Sequence, residues 1–156
     1  MKTKMKKDWF GREKSVDELH HDSKIWVSEI NLIKDEIRFL EHLLSANYID
    51  FLVAGLHKKI EDSVKQISVQ KNIGTTLLDV INSQNKILAK LIKYESVSGN
   101  KNYLESHKQL EIEVTNYIHK YKELKQRIFK AVENVMKKKD QKKLSGTYEI
   151  PKLMDK

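Results

Sequence analysis

The chain has 156 residues, 39% hydrophobic and 33% charged, with a formal net charge of +8, one proline, five glycines and no cysteine. That length suits one domain burying about two-thirds of the surface of its unfolded form, and the missing cysteines exclude disulfides, thiolate metal sites and cysteine nucleophiles. So few turn-forming residues favour a few long helices over many strands, and the lack of a secretory core or long apolar run predicts a cytosolic protein that spans no membrane.

Residues 1–14 carry six Lys/Arg against Asp8 and Glu13 and read as a basic amino-terminal tail. A capping box then opens the first helix. In Ser15-Val16-Asp17-Glu18 the hydroxyl can accept from the Glu18 amide while the carboxylate returns to the Ser15 amide. From it runs a seam of Leu19, Ser23, Trp26, Ile30, Ile33, Ile37, Leu40 and Leu44, in alternating steps of three and four, widened by Val27 and Leu43. Such a helix is roughly 45 Å long.

Ser45-Ala46-Asn47-Tyr48 predicts the first turn, with Asn47 as a cap and Asp50 favouring the positive amino end of a second helix. The second seam is Val53, Leu56, Ile60, Ser63 or Val64, Ile67, Gln70, Gly74, Leu77, Ile81, Gln84, Leu88 and Leu91. A break between Asn72 and Thr76 is the alternative, since Gly74 suits a left-handed cap and Thr76 with Asp79 imitates a capping box. The heptad phase passes through Gly74 unbroken, which favours one long helix. Ser98-Gly99-Asn100 predicts its end, and Asn102 with Glu105 caps the next.

The last helix has a seam of Tyr103, His107, Leu110, Val114, Tyr117, Tyr121, Leu124, Ile128, Ala131 and Val135, with Ile118, Phe129 and Val132 as a second line. Beyond it, residues 137–156 hold seven lysines against three acids and are expected to form a basic, irregular tail. Tyr148, Ile150, Leu153 and Met154 could dock there on a groove. Each tail carries net +4, so residues 15–136, the expected helical bundle, are neutral.

Helical bundles can hold metal ions between facing helices, which makes the six histidines worth testing. Glu18-Leu19-His20-His21 contains one Glu-x-x-His step, but a di-iron bundle needs two, and Glu18 belongs to the capping box. His57 and Glu61 have a hemerythrin-like spacing without the further histidine pairs. His107, Tyr117 and Tyr121 lie on the apolar seam, where a polar side chain more often fixes register or packs as core than works as a ligand, proton acceptor or radical site. Gln70, Gln84 and Asn85 have the same character. No phosphate loop, hydrolase triad order or zinc helix motif occurs, so no catalytic, cofactor or metal residue is assigned.

Trp26-Val27-Ser28-Glu29-Ile30, Asp35-Glu36-Ile37-Arg38-Phe39-Leu40, Leu43-Leu44 and Leu124-Lys125-Gln126-Arg127-Ile128-Phe129 resemble stretches of small, uncharacterised, coiled-coil-like long-helix proteins of Bacteroidota. The resemblance covers about half of the chain and implies no activity.

The expected fold is all-α: an antiparallel bundle of three long helices, or four if the middle one breaks near Gly74. The expected function is a non-enzymatic interaction or scaffold protein without a cofactor, because Trp9, Phe10, Val27, Phe39, Phe51, Ile112 and Ile118 lie off or beside the main seams. Its partner would be another protein or a second copy, the homodimer using Leu77, Ile81, Leu88 and Leu91 where a long middle helix overhangs the first. The alternatives are nucleic acid or an anionic surface held by Lys137, Lys138, Lys139, Lys142 and Lys143, and a metal-binding bundle.

Overall fold

The computed structural model describes residues 13–145, of which 89% are helical, with no strand among them. Four helices follow in order: α1 (Val16–Ala46), α2 (Tyr48–Val53), α3 (His57–Lys93) and α4 (Lys101–Ser145). None of them is long and apolar enough to cross a membrane. Both capping-box bonds form at the start of α1, from the Ser15 amide to Glu18 Oε1 at 2.8 Å and from the Glu18 amide to Ser15 Oγ at 3.2 Å.

The turns depart from the sequence expectation at four points. Asn47 precedes α2 but does not cap it: its Nδ2 donates back to the Leu43 carbonyl at 2.8 Å. The chain then breaks again after Val53, because Gly55 adopts φ +76° and closes a Schellman turn through Gly55 N to Leu52 O and Leu56 N to Phe51 O. Val53, placed on the seam by its spacing, is therefore exposed, while Phe51 is buried. The same pair of bonds ends α3 at Glu95, a non-glycine residue at φ 51°, several residues before the expected stop at Ser98. Asn100 caps α4 in place of Asn102, its Oδ1 accepting from the Tyr103 amide at 3.0 Å.

The expected break at Gly74 does not occur, and α3 runs through it. A Cβ at residue 74 would lie 2.5 Å from the Tyr117 hydroxyl and 3.6 Å from an Ile30 methyl, so glycine serves close approach there and not a turn. At the far end, α4 continues to Ser145, past the expected end at Met136. Lysine is a strong helix former, and cationic residues at a helix carboxyl end complement its dipole. Of the expected tails, residues 1–12 and 146–156 lie outside the described residues, and with them Trp9, Phe10, Tyr148, Ile150, Leu153 and Met154.

The described chain divides into two compact units, residues 13–34 with 72–119 and residues 35–71 with 120–145. In the first, Leu19, Leu88, Val97 and Tyr103 form a buried cluster with Val16, Leu91 and Leu104 packed against it. Lys34 Nζ donates to Thr75 Oγ1 at 3.3 Å. In the second, Ile37, Leu40, Leu44, Phe51, Ile60, Ile67, Leu124, Ile128 and Val135 are buried, and Glu41 pairs with Lys71 at 3.2 Å.

Two substitutions test these turns. Gly74→Ala should lose about 1–3 kcal/mol in denaturant unfolding despite alanine's better helix propensity, and adding Tyr117→Phe should recover part of that loss. Glu95→Gly should gain about 1 kcal/mol by relieving the left-handed residue.

Candidate interaction surfaces

The polar atoms of the first unit gather around His107, which is 3% exposed. Its Nε2 lies 2.8 Å from Asp22 Oδ2, and the same carboxylate oxygen accepts from Lys14 Nζ at 2.6 Å. Glu111 stands 3.7 Å from Lys14 on the other side. Trp26 lies over the imidazole with ring centroids 4.8 Å apart, and Tyr103 stands at 6.2 Å. Burial pulls the Lys14 ammonium down, but hydrogen bonding and charge from Asp22, helped by Glu111, hold it above its ordinary value. The Tyr103 hydroxyl is pushed up by burial first and by the Asp22 charge second.

This cluster sits where the seams predict a polar layer. Four residues on from Leu19, Leu88 and Tyr103, counted inward along each helix, come Ser23, Gln84 and His107. Ser23 and His107 are buried, and Gln84 Oε1 is buried with no hydrogen-bond partner among the described residues. The Tyr117 hydroxyl shares that state, and burial pushes its pKa up to about 12. An imidazole–carboxylate pair can act as a general base where a substrate reaches the ring. Here the ring is closed under Trp26.

In the second unit the Tyr121 hydroxyl donates to Glu36 Oε1 at 2.7 Å, and Lys125 Nζ donates to the same oxygen at 3.0 Å while lying 5.5 Å from the Tyr121 ring centroid. The bond from Tyr121, reinforced by Lys125, outweighs burial and holds the Glu36 carboxyl below the usual carboxylate range.

The residues expected to meet a second chain are placed differently. Leu77, Ile81 and Leu88 are buried within the first unit, and Leu91 packs on the Leu19 cluster. They do not overhang α1, because α3 brings Leu88 back against Leu19 at the start of that helix, so they are core. Among the tail lysines, Lys138, Lys139 and Lys142 line an open cavity of about 440 Å³ with Asp50, Val53, Ala54, Val135 and Gln141. Lys139 is paired there with Asp50 at 3.5 Å. Lys137 is exposed and is not part of that lining, and the Lys143 side chain lies outside the described residues. His57 meets Glu61 at 3.0 Å on the surface, and no cluster of three or more metal-ligating groups exists among the described residues.

Sequence reasoning missed a second seam on α3. Ile73, Thr76, Val80, Ser83, Ile87 and Lys90 repeat the three-four spacing on the outer side of the helix, with Tyr94 continuing it in the turn just past Lys93, all exposed, with Val80 at 37% and Ile87 at 45%. The signal was present in the spacing but interleaved with the inner seam, and only burial separates the two. Among the other surface apolar residues, Phe39 on α1 and Ile112 on α4 are exposed, and their helical neighbours three or four residues away include Asp35, Glu36 and Lys108. On α3 the corresponding neighbours of Ile73 and Val80 are uncharged, and those of Ile87 include one charge, Lys90.

No protein family, curated protein or solved structure matches the chain.

Glu36 generates a pH prediction. A carboxyl held low when folded contributes stability above the usual carboxylate range and loses it as pH falls through the folded value. Unfolding midpoints compared at about pH 5 and about pH 3 should drop further in the wild type than in Tyr121→Phe, which removes the largest cause of the depression. An equal drop would separate Glu36 from the acid response.

Proposed function

We propose that the chain is a non-enzymatic helical interaction protein, an antiparallel bundle of three long helices that presents the outer face of α3 to another helix. The direction of the helices is supported inside each unit. In the first, Asp22 meets His107 and Ile30 meets Tyr117 across Gly74, so α1 and α4 ascend together, while Leu19 with Leu88 and Ile30 with Gly74 run α3 the opposite way. In the second, Glu36 meets Tyr121 and Asp50 meets Lys139, again in the same sense.

The observation that carries the function is the outer seam from Ile73 to Ile87. A row of apolar and small uncharged residues at alternating three-four spacing is the pattern that another helix fills with its own side chains. The closed His107–Asp22 pair is read as part of a polar layer that fixes register, and not as a catalytic site.

In-cell photocrosslinking tests the reading. A photoreactive residue at Ile73 or Ile87 should give a discrete adduct, and one at exposed Asn82, off the seam, should not. Val80→Asp should abolish the Ile87 adduct without lowering helicity by circular dichroism. Adducts that ignore Val80→Asp, or that form equally from residue 82, would overturn it.

A further inference from the structure

Whatever helix lies on the outer seam of α3 must match its edges as well as its centre. One edge, formed by Leu77, Gln84 and Leu91, turns into the protein's own core. The other carries Asp79, Lys86 and Lys93, each immediately preceding a seam residue and each exposed. Resting on the interaction reading above, we propose that the occupant is α3 of a second copy, docked antiparallel about a two-fold axis between Val80 and Ser83.

The edges select the direction of pairing, and the charges along the outer edge suit a second copy. When two helices pair in parallel, opposite edges face each other, so the charged edge of one copy would face the core edge of the other. When they pair antiparallel, like edges meet, and the charged edge of one copy lies along the charged edge of its twin. Only the second arrangement leaves the Leu77–Leu91 edges, already committed inward, away from the ions.

The register follows from the charges. With Val80 opposite Ser83 of the second copy, Thr76 faces Ile87 and Ile73 faces the stem of Lys90, whose ammonium can reach water. Asp79 of each copy then stands beside Lys86 of the other, so the two-fold axis makes one ion pair into two. A shift by one heptad toward the amino end sets Asp79 against Asp79, and a shift toward the carboxyl end sets Lys86 against Lys86. Surface pairs of this kind contribute little energy, but like charges at the same place oppose the alternatives.

Charge exchange in the full-length chain tests the arrangement by sedimentation. The wild type should dimerise at micromolar to tens-of-micromolar concentration. Asp79→Lys alone and Lys86→Asp alone should each weaken association on the order of tenfold, because each replaces two attractive pairs with two repulsive ones. An equimolar mixture of these two variants should form a heterodimer with wild-type affinity, since each lysine then meets an aspartate. Circular dichroism of each variant should match the wild type, and Val80→Asp should remove association altogether.

A monomeric wild type would overturn self-pairing. Seam-specific adducts from residues 73 and 87 would in that case leave the interaction reading standing with a different helix, and their absence would remove both. Association insensitive to Val80→Asp would place the contact elsewhere and also overturn the proposal. A mixture no stronger than its components would overturn the antiparallel register.

Discussion

The approach of Tyr117 to Gly74 is the contact on which α3 depends. Glycine in a helix interior costs about 1 kcal/mol relative to alanine, and with Asn72, Thr75 and Thr76 around it the local sequence invites a break. The aromatic ring occupies the volume that any side chain at 74 would need, and Ile30 closes the same space from α1. A left-handed cap here would carry the backbone away from that ring and rotate everything after it. Because the helix continues, the buried row from Ile60 to Leu88 keeps one phase, and so does the exposed row from Ile73 to Lys90. The outer face is thus in register only because the inner one is.

Continuity alone leaves the alignment of the helices open, since apolar layers seven residues apart are nearly interchangeable. Sliding one helix by a heptad would restore leucine and isoleucine contacts at little cost. His107 opposes that slide, because a buried polar group moved among aliphatic neighbours loses its partner. The bond from His107 to Asp22, itself tied to Lys14, makes the correct alignment distinguishable. Atoms such as Gln84 Oε1 and the Tyr103 and Tyr117 hydroxyls are buried without a hydrogen-bond partner among the described residues, so uniqueness is gained here at some loss of stability.

The helices and their buried faces were legible in the sequence because three-four spacing is a geometric consequence of 3.6 residues per turn. Every residue assigned to the first and last seams is buried, and the capping box at Ser15 forms both of its bonds. The ends were less legible, because a cap is decided by one residue's dihedral angle. Gly55 hid inside an apolar run, Glu95 takes a conformation that glutamate rarely adopts, and Asn100 differs from Asn102 by two residues. The supposed overhang of Leu77 to Leu91 failed for a different reason. Helix lengths counted from sequence did not include the short α2, whose turn at Gly55 delays the start of α3 and returns Leu88 to Leu19.

The outer seam was unreadable for a further reason: apolar residues cover so much of α3 that a single helix holds two interleaved rows. Burial assigns one row to the protein's own core and leaves the other to solvent, and the composition of the second row says how strongly it can bind. Thr76, Ser83 and Lys90 fill its intermediate positions, so each apolar step of a docked helix alternates with a polar one. Such a face gains less from burial than the Leu- and Ile-filled inner row. Two chains of net charge +8 also repel over the distance that salt leaves unscreened. Weak apolar attraction and mutual repulsion together make direction the decisive variable. On this face Asp79 and Lys86 are the groups able to set it, since they differ in sign and share one edge.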